Sequence, residues 1–293
     1  MKIAIFGSQI NVDAKHYVEV FFEELERHHI DIYVYEEILS KNQGVFELPG
    51  NLKVWQSHED LCGIKPNYLI TLGGDGTILK AVTLVQNSNI PIFGINTGRL
   101  GFLANIARHE IKSAVNDLIN GNFTINERKL LDINVKTGDQ PPLPFALNEI
   151  TVARKDTTSM VTIHTWINDE FLSSYWADGL IIATPTGSTG YSLSCGGPII
   201  MPGSENFVLT PISPHNLNVR PFVIPNHHTI NLRIQSREPY FLTSLDSRIH
   251  SMPINTELQI KKADFTIKMV QTEQQKFTKT LREKLFWGKD IRN

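Results

Sequence analysis

The sequence predicts an α/β N-terminal domain with a parallel sheet plus a mostly antiparallel, β-sandwich-like C-terminal domain, with a C-terminal helix docking back on the first. Three observations predict it. Over roughly the first 120 residues, short apolar runs alternate with segments of helical spacing, and that alternation implies a parallel sheet faced by helices. Beyond about residue 125, helical spacing gives way to short β-rich runs separated by turns. At 293 residues, the chain has room for two domains of about 150 residues each. The expected division is 1–122, with 272–293 docking on it, and 123–271.

In order along the chain, "KIAIFG" (2–7) is an apolar run ending in glycine, a first strand rather than a signal segment. Residues 14–29 place Val18, Phe21, Phe22 and Leu25 on one helical face. "DIYVYEE" (31–37) and "NYLITL" (67–72) read as strands, and a helix follows through "TILKAVTLVQ". "IPIFGIN" (90–96) is another strand, and "RHEIKSAVNDLIN" (108–120) a helix stopped by Gly121. The second region contains "LLDINVK", "FALNEITVAR", "MVTIHTWIND", "EFLSSYWAD", "GLIIATP", "HTINLRIQ", "YFLTSLD", "ELQIKKA" and "FTIKMVQ", with a hairpin turn at Trp166–Glu170 and an exposed connector at 138–144. The tail "FTKTLREKLFW" (277–287) sets Phe277, Leu281, Leu285 and Phe286 on one side, a face that is costly to leave in water.

Composition narrows the function classes. The formal net charge of −2 and pI of about 6.6 lack the basic excess of an electrostatic nucleic-acid binder. No apolar run approaches the roughly 18 residues of a membrane span. Cys62 and Cys195 fit neither a disulfide framework nor a zinc spacing, so a reducing cytoplasm is the expected location. The ten histidines form no HExxH pair, and no resident metal site is expected.

Two glycine-rich segments carry the chemistry. In "YLITLGGDGTILK" (68–80), a strand runs into Gly73, Gly74, Asp75, Gly76 and Thr77, and a helix begins. Glycines there allow positive φ and close backbone approach, Thr77 can cap a helix starting at Ile78, and the helix N-terminus favours an anion. A carboxylate beside a phosphate site fits a metal contact or a proton acceptor for an attacking hydroxyl. The plainer reading is a tight turn with Asp75 solvated. The second segment, "ADGLIIATPTGSTGYSLSCGGPI" (177–199), sets seven Ser, Thr and Tyr hydroxyls between 184 and 194, beside Gly187, Gly190, Gly196 and Gly197. It reads either as a long loop or as a cradle for a polar ligand. Between the two, Asn148-Glu149 interrupts an apolar strand. One of the pair can simply face solvent, but a carboxylate can also grip a ribose diol and an amide can read an adenine edge.

With "GGDGT" (73–77), "GINTGRLGFLANI" (94–106), "NEI" (148–150), "DGLIIATPTGSTGYSLSCGGPI" (178–199) and "PISPHNLNVRPFVIP" (211–225) in this order, the chain resembles the bacterial NAD kinases over nearly its whole length. "GGDGT" by itself also suits diacylglycerol-kinase-like lipid kinases and phosphofructokinases. The Asn-Glu pair and "PTGST" separate the chain from them. The resemblance implies Mg²⁺-dependent transfer of the ATP γ-phosphoryl group to the 2′-hydroxyl of the adenosine ribose of NAD, giving NADP. It also implies a homodimer or homotetramer. Asp75 would be the general base, with Gly73, Gly74, Gly76 and Thr77 at the nucleotide. Asn148 and Glu149 would hold adenine and ribose groups, and Asp178 the nicotinamide end. Ser159, Ser188, Thr189, Gly190, Tyr191, Ser192 and Ser194 would complete the dinucleotide site. Arg99 is either an ATP phosphate contact or a surface charge. Three positions depart from the family pattern: Trp176 stands where a basic residue is common, Gly190 where alanine is, and Arg248 where glutamine is. Losing a cation at 176 and gaining one at 248 would keep phosphate charge balanced by another route.

Overall fold

The computed structural model describes residues 1–46, 48–156, 159–273 and 275–287. The chain divides into two compact units, one of Met1–Glu127 with the segment from Ile267 onward, the other of Arg128–Thr266.

The first unit is an α/β layer. Its elements are β1 (Lys2–Gly7), α1 (Lys15–Arg27), β2 (Asp31–Tyr35), α2 (Glu36–Lys41), β3 (Lys53–Trp55), α3 (His58–Ile64), β4 (Tyr68–Leu72), α4 (Asp75–Val85), β5 (Ile92–Ile95) and α5 (Ile111–Asn120). The strands pair in parallel in the order β3-β2-β1-β4-β5. β1 is buried from Ile3 to Gly7 and β4 from Leu69 to Leu72, so these central strands are covered on both faces. The foreseen face of α1, Val18, Phe21, Phe22 and Leu25, is buried. α5 buries Ile111, Ala114, Val115 and Leu118 and ends at Gly121, where φ is +77°. The segment expected as one strand over 31–37 ends at Tyr35. Glu36 and Glu37 instead open α2, where carboxylates suit the positive helix end.

β6 (Phe123–Val135) leads into the second unit, followed by β7 (Phe145–Ala146), β8 (Glu149–Arg154), β9 (Val161–Ile167), β10 (Glu170–Ala177), β11 (Gly179–Ala183), α6 (Tyr191–Ser194), β12 (Asn206–Ile212), β13 (Phe222–Pro225), β14 (Ile230–Gln235), β15 (Tyr240–Leu245), β16 (Arg248–Pro253) and β17 (Glu257–Thr272). One sheet runs β13-β12-β11-β8-β15-β16, antiparallel throughout. The other joins β10, β9, β14 and the first half of β17. Ile150, Val152, Leu180, Ile182 and Phe241 from the first meet Ile163, Leu232, Leu258 and Ile260 from the second in one buried cluster, which makes a sandwich. The β9–β10 hairpin turns at Asn168, whose φ is +55°.

"ELQIKKA" and "FTIKMVQ" form the single strand β17, whose second half belongs to the first unit and pairs in parallel with β5 at Met269 and Ile92. α7 (Phe277–Leu285) completes that unit, with Leu281 buried and Phe277 against the ring of Phe102. Phe286 departs from the expected helical face. It terminates the helix in the left-handed region at φ +56° and remains 67% exposed. Among the described residues, no helix is long and apolar enough to cross a membrane.

Candidate active site

β4 lies between β1 and β5, so its chain leaves at the carboxyl edge of the parallel sheet, where open α/β folds hold ligands. Gly73 makes the turn. Its φ is +157°, and a Cβ there would run into the Thr77 hydroxyl. The helix begins two residues before Thr77: α4 starts at Asp75 with Gly74 as N-cap, and Thr77 sits inside the first turn rather than capping it. No side chain caps α4, which leaves that role to solvent or a ligand. A Cβ at Gly74 or at Gly76 would meet no protein atom within 4 Å, so the space over both is open.

Asp75 does not stand free in solvent. Its Oδ2 accepts from the Phe102 N–H at 2.8 Å, and its Oδ1 from the N–H groups of Leu103 at 3.0 Å and Ala104 at 2.9 Å. These donors belong to the loop after β5. Asn96 folds that loop: its side-chain amide donates to the carbonyls of Arg99 at 2.7 Å and Ala104 at 3.0 Å, and its Oδ1 accepts from the Gly98 N–H at 2.7 Å. Arg99 itself is exposed.

The second unit holds the Asn-Glu pair at the start of β8, with Asn148 just before it and Glu149 its first residue. Asp246, at the β15–β16 turn with φ +53°, accepts from the backbone N–H groups of Leu147 at 3.0 Å, Asn148 at 2.7 Å and Glu149 at 3.2 Å. The Thr184 hydroxyl donates to the Leu147 carbonyl at 2.6 Å, and the Thr184 N–H to the Asn148 carbonyl at 2.9 Å. The backbone of the pair is therefore fully engaged, while Asn148 Oδ1 and Glu149 Oε2 are buried with no hydrogen-bond partner. Burial first, and the nearby Asp246 second, push the Glu149 carboxyl up to about 8 against a hydrogen bond from the Tyr191 N–H. Asp246 was not foreseen as part of the site, and its partners lie 97 to 99 positions away along the chain.

Gly190 and Tyr191 belong to the same cluster. A Cβ on Gly190 would come within 3.0 Å of Glu149 Oε2 and 3.6 Å of Asn148 Nδ2, so alanine here would crowd the pair. Tyr191 is half-exposed, and burial, then Cys195 and Asp178, raise its phenol above the usual range. Asp178 pairs with Arg154 at 3.1 Å. Trp176 is half-exposed and packs on the ring of His215, centroids 4.2 Å apart.

Most hydroxyls of the 184–194 segment are turned inward. Ser188 Oγ donates to the Pro185 carbonyl at 2.7 Å and accepts from the Ile200 N–H at 2.9 Å. Ser192 Oγ bonds Thr210 Oγ1 at 2.8 Å, and Thr189 Oγ1 donates to the Thr186 carbonyl at 3.2 Å. Ser188 and Ser192 are buried, so these groups shape the loop rather than line it, while Ser194 is exposed. Ser159 Oγ is buried without a partner. Arg248 is braced within the second unit. Its guanidinium donates to the carbonyls of Leu143 and Phe145 and lies over the Phe145 ring.

Comparison with known proteins agrees with this layout. The model of the ATP-NAD kinase N-terminal domain matches residues 3–123, and that of the C-terminal domain matches residues 147–272. The chain is 48% identical over 298 residues to the NAD kinase of Flavobacterium psychrophilum, covering 100% of both. The structure of yeast NADH kinase complexed with NADH superposes with a TM-score of 0.87 at 25% identity, over 100% of this chain and 89% of that one. An NAD kinase from Archaeoglobus fulgidus in complex with ATP shares the fold, with a TM-score of 0.75 at 24% identity over 94% of this chain and 95% of that one. With both domain models matched in order and a full-length relative at 48% identity, the chain belongs to the ATP-NAD kinase family.

Proposed function

We propose that the protein transfers the γ-phosphoryl group of ATP to the 2′-hydroxyl of the adenosine ribose of NAD, giving NADP and ADP. The observation that carries this reading is the pair Asn148 Oδ1 and Glu149 Oε2, buried polar atoms that find no partner in the protein. Such atoms cost free energy unless something satisfies them, and ribose hydroxyls and an adenine amino group offer the missing donors. Gly190 leaves the room, Tyr191 offers a ring to stack on, and Asp178 is assigned to the nicotinamide end. Ser159, Thr189, Ser194 and Trp176 are the remaining candidate contacts. Ser188, Ser192 and Arg248 act by bracing the loops that carry them.

The donor site is assigned to the α4 N-terminus, with Gly73, Gly74, Gly76 and Thr77. Gly76 lies in a helix, where glycine costs roughly 0.5–1 kcal/mol relative to alanine, and no neighbouring atom demands it. Phosphate oxygens approaching the backbone would account for it. Mg²⁺ would be held largely by the phosphates of ATP, as is usual for this cation at phosphoryl-transfer sites. It would supply charge neutralisation there. Asp75 accepts the 2′-hydroxyl proton as the O2′–P bond forms. The bond from the γ-phosphorus to its bridging oxygen breaks, and ADP leaves. A homodimer or homotetramer in the cytoplasm remains part of this reading.

The test incubates purified protein with ATP, Mg²⁺ and NAD and reads NADP with an NADP-specific dehydrogenase. Turnover is expected from the wild type, with a loss of at least about 100-fold in kcat for Asp75→Asn, since a general base contributes about 10²–10⁴. Folded wild-type protein that makes no NADP would overturn the reading, and a smaller loss would remove Asp75 from the role of base.

A further inference from the structure

The loop after β5 makes three consecutive backbone N–H groups, those of Phe102, Leu103 and Ala104, converge on one carboxylate. Such convergence is ordinarily a concavity that takes up an anion from solution. Here the anion is the protein's own Asp75. A carboxylate offers about four lone-pair sites, two on each oxygen. Oδ1 accepts two of the N–H groups and Oδ2 one, which leaves a single site, on Oδ2, at a fixed direction.

Gly101 permits this approach. It is buried, and its φ lies outside the left-handed region, so backbone freedom does not explain it. What explains it is space. A Cβ on Gly101 would overlap Asp75 Oδ1 and lie 2.6 Å from Cγ. The Gly101 N–H donates to the Ala104 carbonyl at 3.0 Å, and Asn96 holds that same carbonyl, so the turn has little freedom to move aside.

Resting on the reading of Asp75 as the base, we propose that Gly101 and the N–H groups of Phe102–Ala104 form a positioning clamp for Asp75, and that Oδ2 is the oxygen that receives the ribose proton. Gly101 touches no substrate in this account. It acts by letting the carboxylate seat in the turn. Two consequences follow. The fall in kcat on removing Asp75 includes loosening of the loop. A methyl group at 101 should mimic part of that fall while the acid is still present, because misplacing a reacting group by about 1 Å can cost on the order of 100-fold.

The experiment uses the full chain as wild type, Gly101→Ala, Asp75→Ala and the double variant. For Gly101→Ala, kcat is expected to fall by about 10- to 100-fold while the KM values for ATP and NAD stay close to wild type. Urea unfolding supplies the readout that a generally damaged loop would not give. Gly101→Ala should lower the midpoint in the wild-type background and leave it unlowered in the Asp75→Ala background, because the overlapping carboxylate is gone. An unchanged kcat, a loss confined to KM, or equal midpoint losses in both backgrounds overturns the clamp. So does a Gly101→Ala protein that fails to fold and is not restored by removing Asp75. A wild type that makes no NADP would instead overturn the assignment of the reaction, and the unfolding cycle would still decide whether the clamp exists.

Discussion

Glu149 carries its carboxyl into a buried place where Oε2 finds no protein partner and Asp246 opposes its charge. Its pKa is raised from the ordinary 4.5 to about 8, by burial first and Asp246 second, so over that interval the folded chain keeps a proton that the unfolded chain has released. Stability tied to this group is fully present below about pH 4.5 and is lost as pH rises towards about 8. Burial also raises Asp246, against the three N–H groups it accepts and the nearby Arg248, and it acts in the same direction. Glu149→Gln should therefore flatten the fall in Tm between pH 5 and 9 and unfold at a higher temperature than wild type at pH 9. Parallel Tm curves for the two proteins would contradict the buried-acid account. Asp75, Asn148 and Glu149 were legible as candidate site residues because polar residues interrupt apolar strands or glycine turns. Gly101 and Asp246 were not, because Gly101 meets Asp75 26 positions away and Asp246 its partners 97 to 99 positions away, beyond any local pattern.

At the scale of elements, strongly periodic segments read correctly: β1, β4, α1 and α5 stand where apolar spacing put them. The missed ones are short or lack a clean pattern. β3 spans 3 residues and α2 spans 6. β12, "NFVLTPI", is apolar enough, but Pro211 argues against a central strand. The structure resolves the conflict, since β13 pairs only with Asn206–Leu209 and Pro211 lies where β12 has a neighbour on one side alone. The start of α4 was also misplaced, because Asp75 and Gly76 look like turn residues yet form its first turn. Gly76→Ala tests what that glycine is for. The methyl group meets no protein atom, so helix propensity should stabilise the protein by roughly 0.5–1 kcal/mol in urea unfolding. If ATP's phosphates approach the backbone there, the same variant should raise the KM for ATP. Greater stability with an unchanged KM would leave the glycine without a ligand-based explanation.

At the scale of the whole chain, the change of texture near residue 125 announced a β-rich second region, but the return of the chain to its first unit showed in the sequence only as the helical tail. The second half of β17 looks like one more β-sandwich strand, yet Val270 is buried in the first unit's core. The second unit is one uninterrupted stretch with its own buried cluster, whereas the first is assembled from two separated stretches. A fragment of residues 128–266 should accordingly unfold cooperatively in urea, and a fragment of residues 1–127 should not. Cooperative unfolding of the latter would show that β17 and α7 are dispensable to the first unit. The same discontinuity bears on the protein's birth at the ribosome. Residues 1–127 emerge first, yet their partner strand is translated only after the whole second unit, a wait of roughly 7 to 28 s at about 5–20 residues per second. Throughout that interval the edge of β5 that pairs with β17 lacks its partner, and an unpaired strand edge of this kind is a template for aggregation, so slower translation of the second unit should increase it.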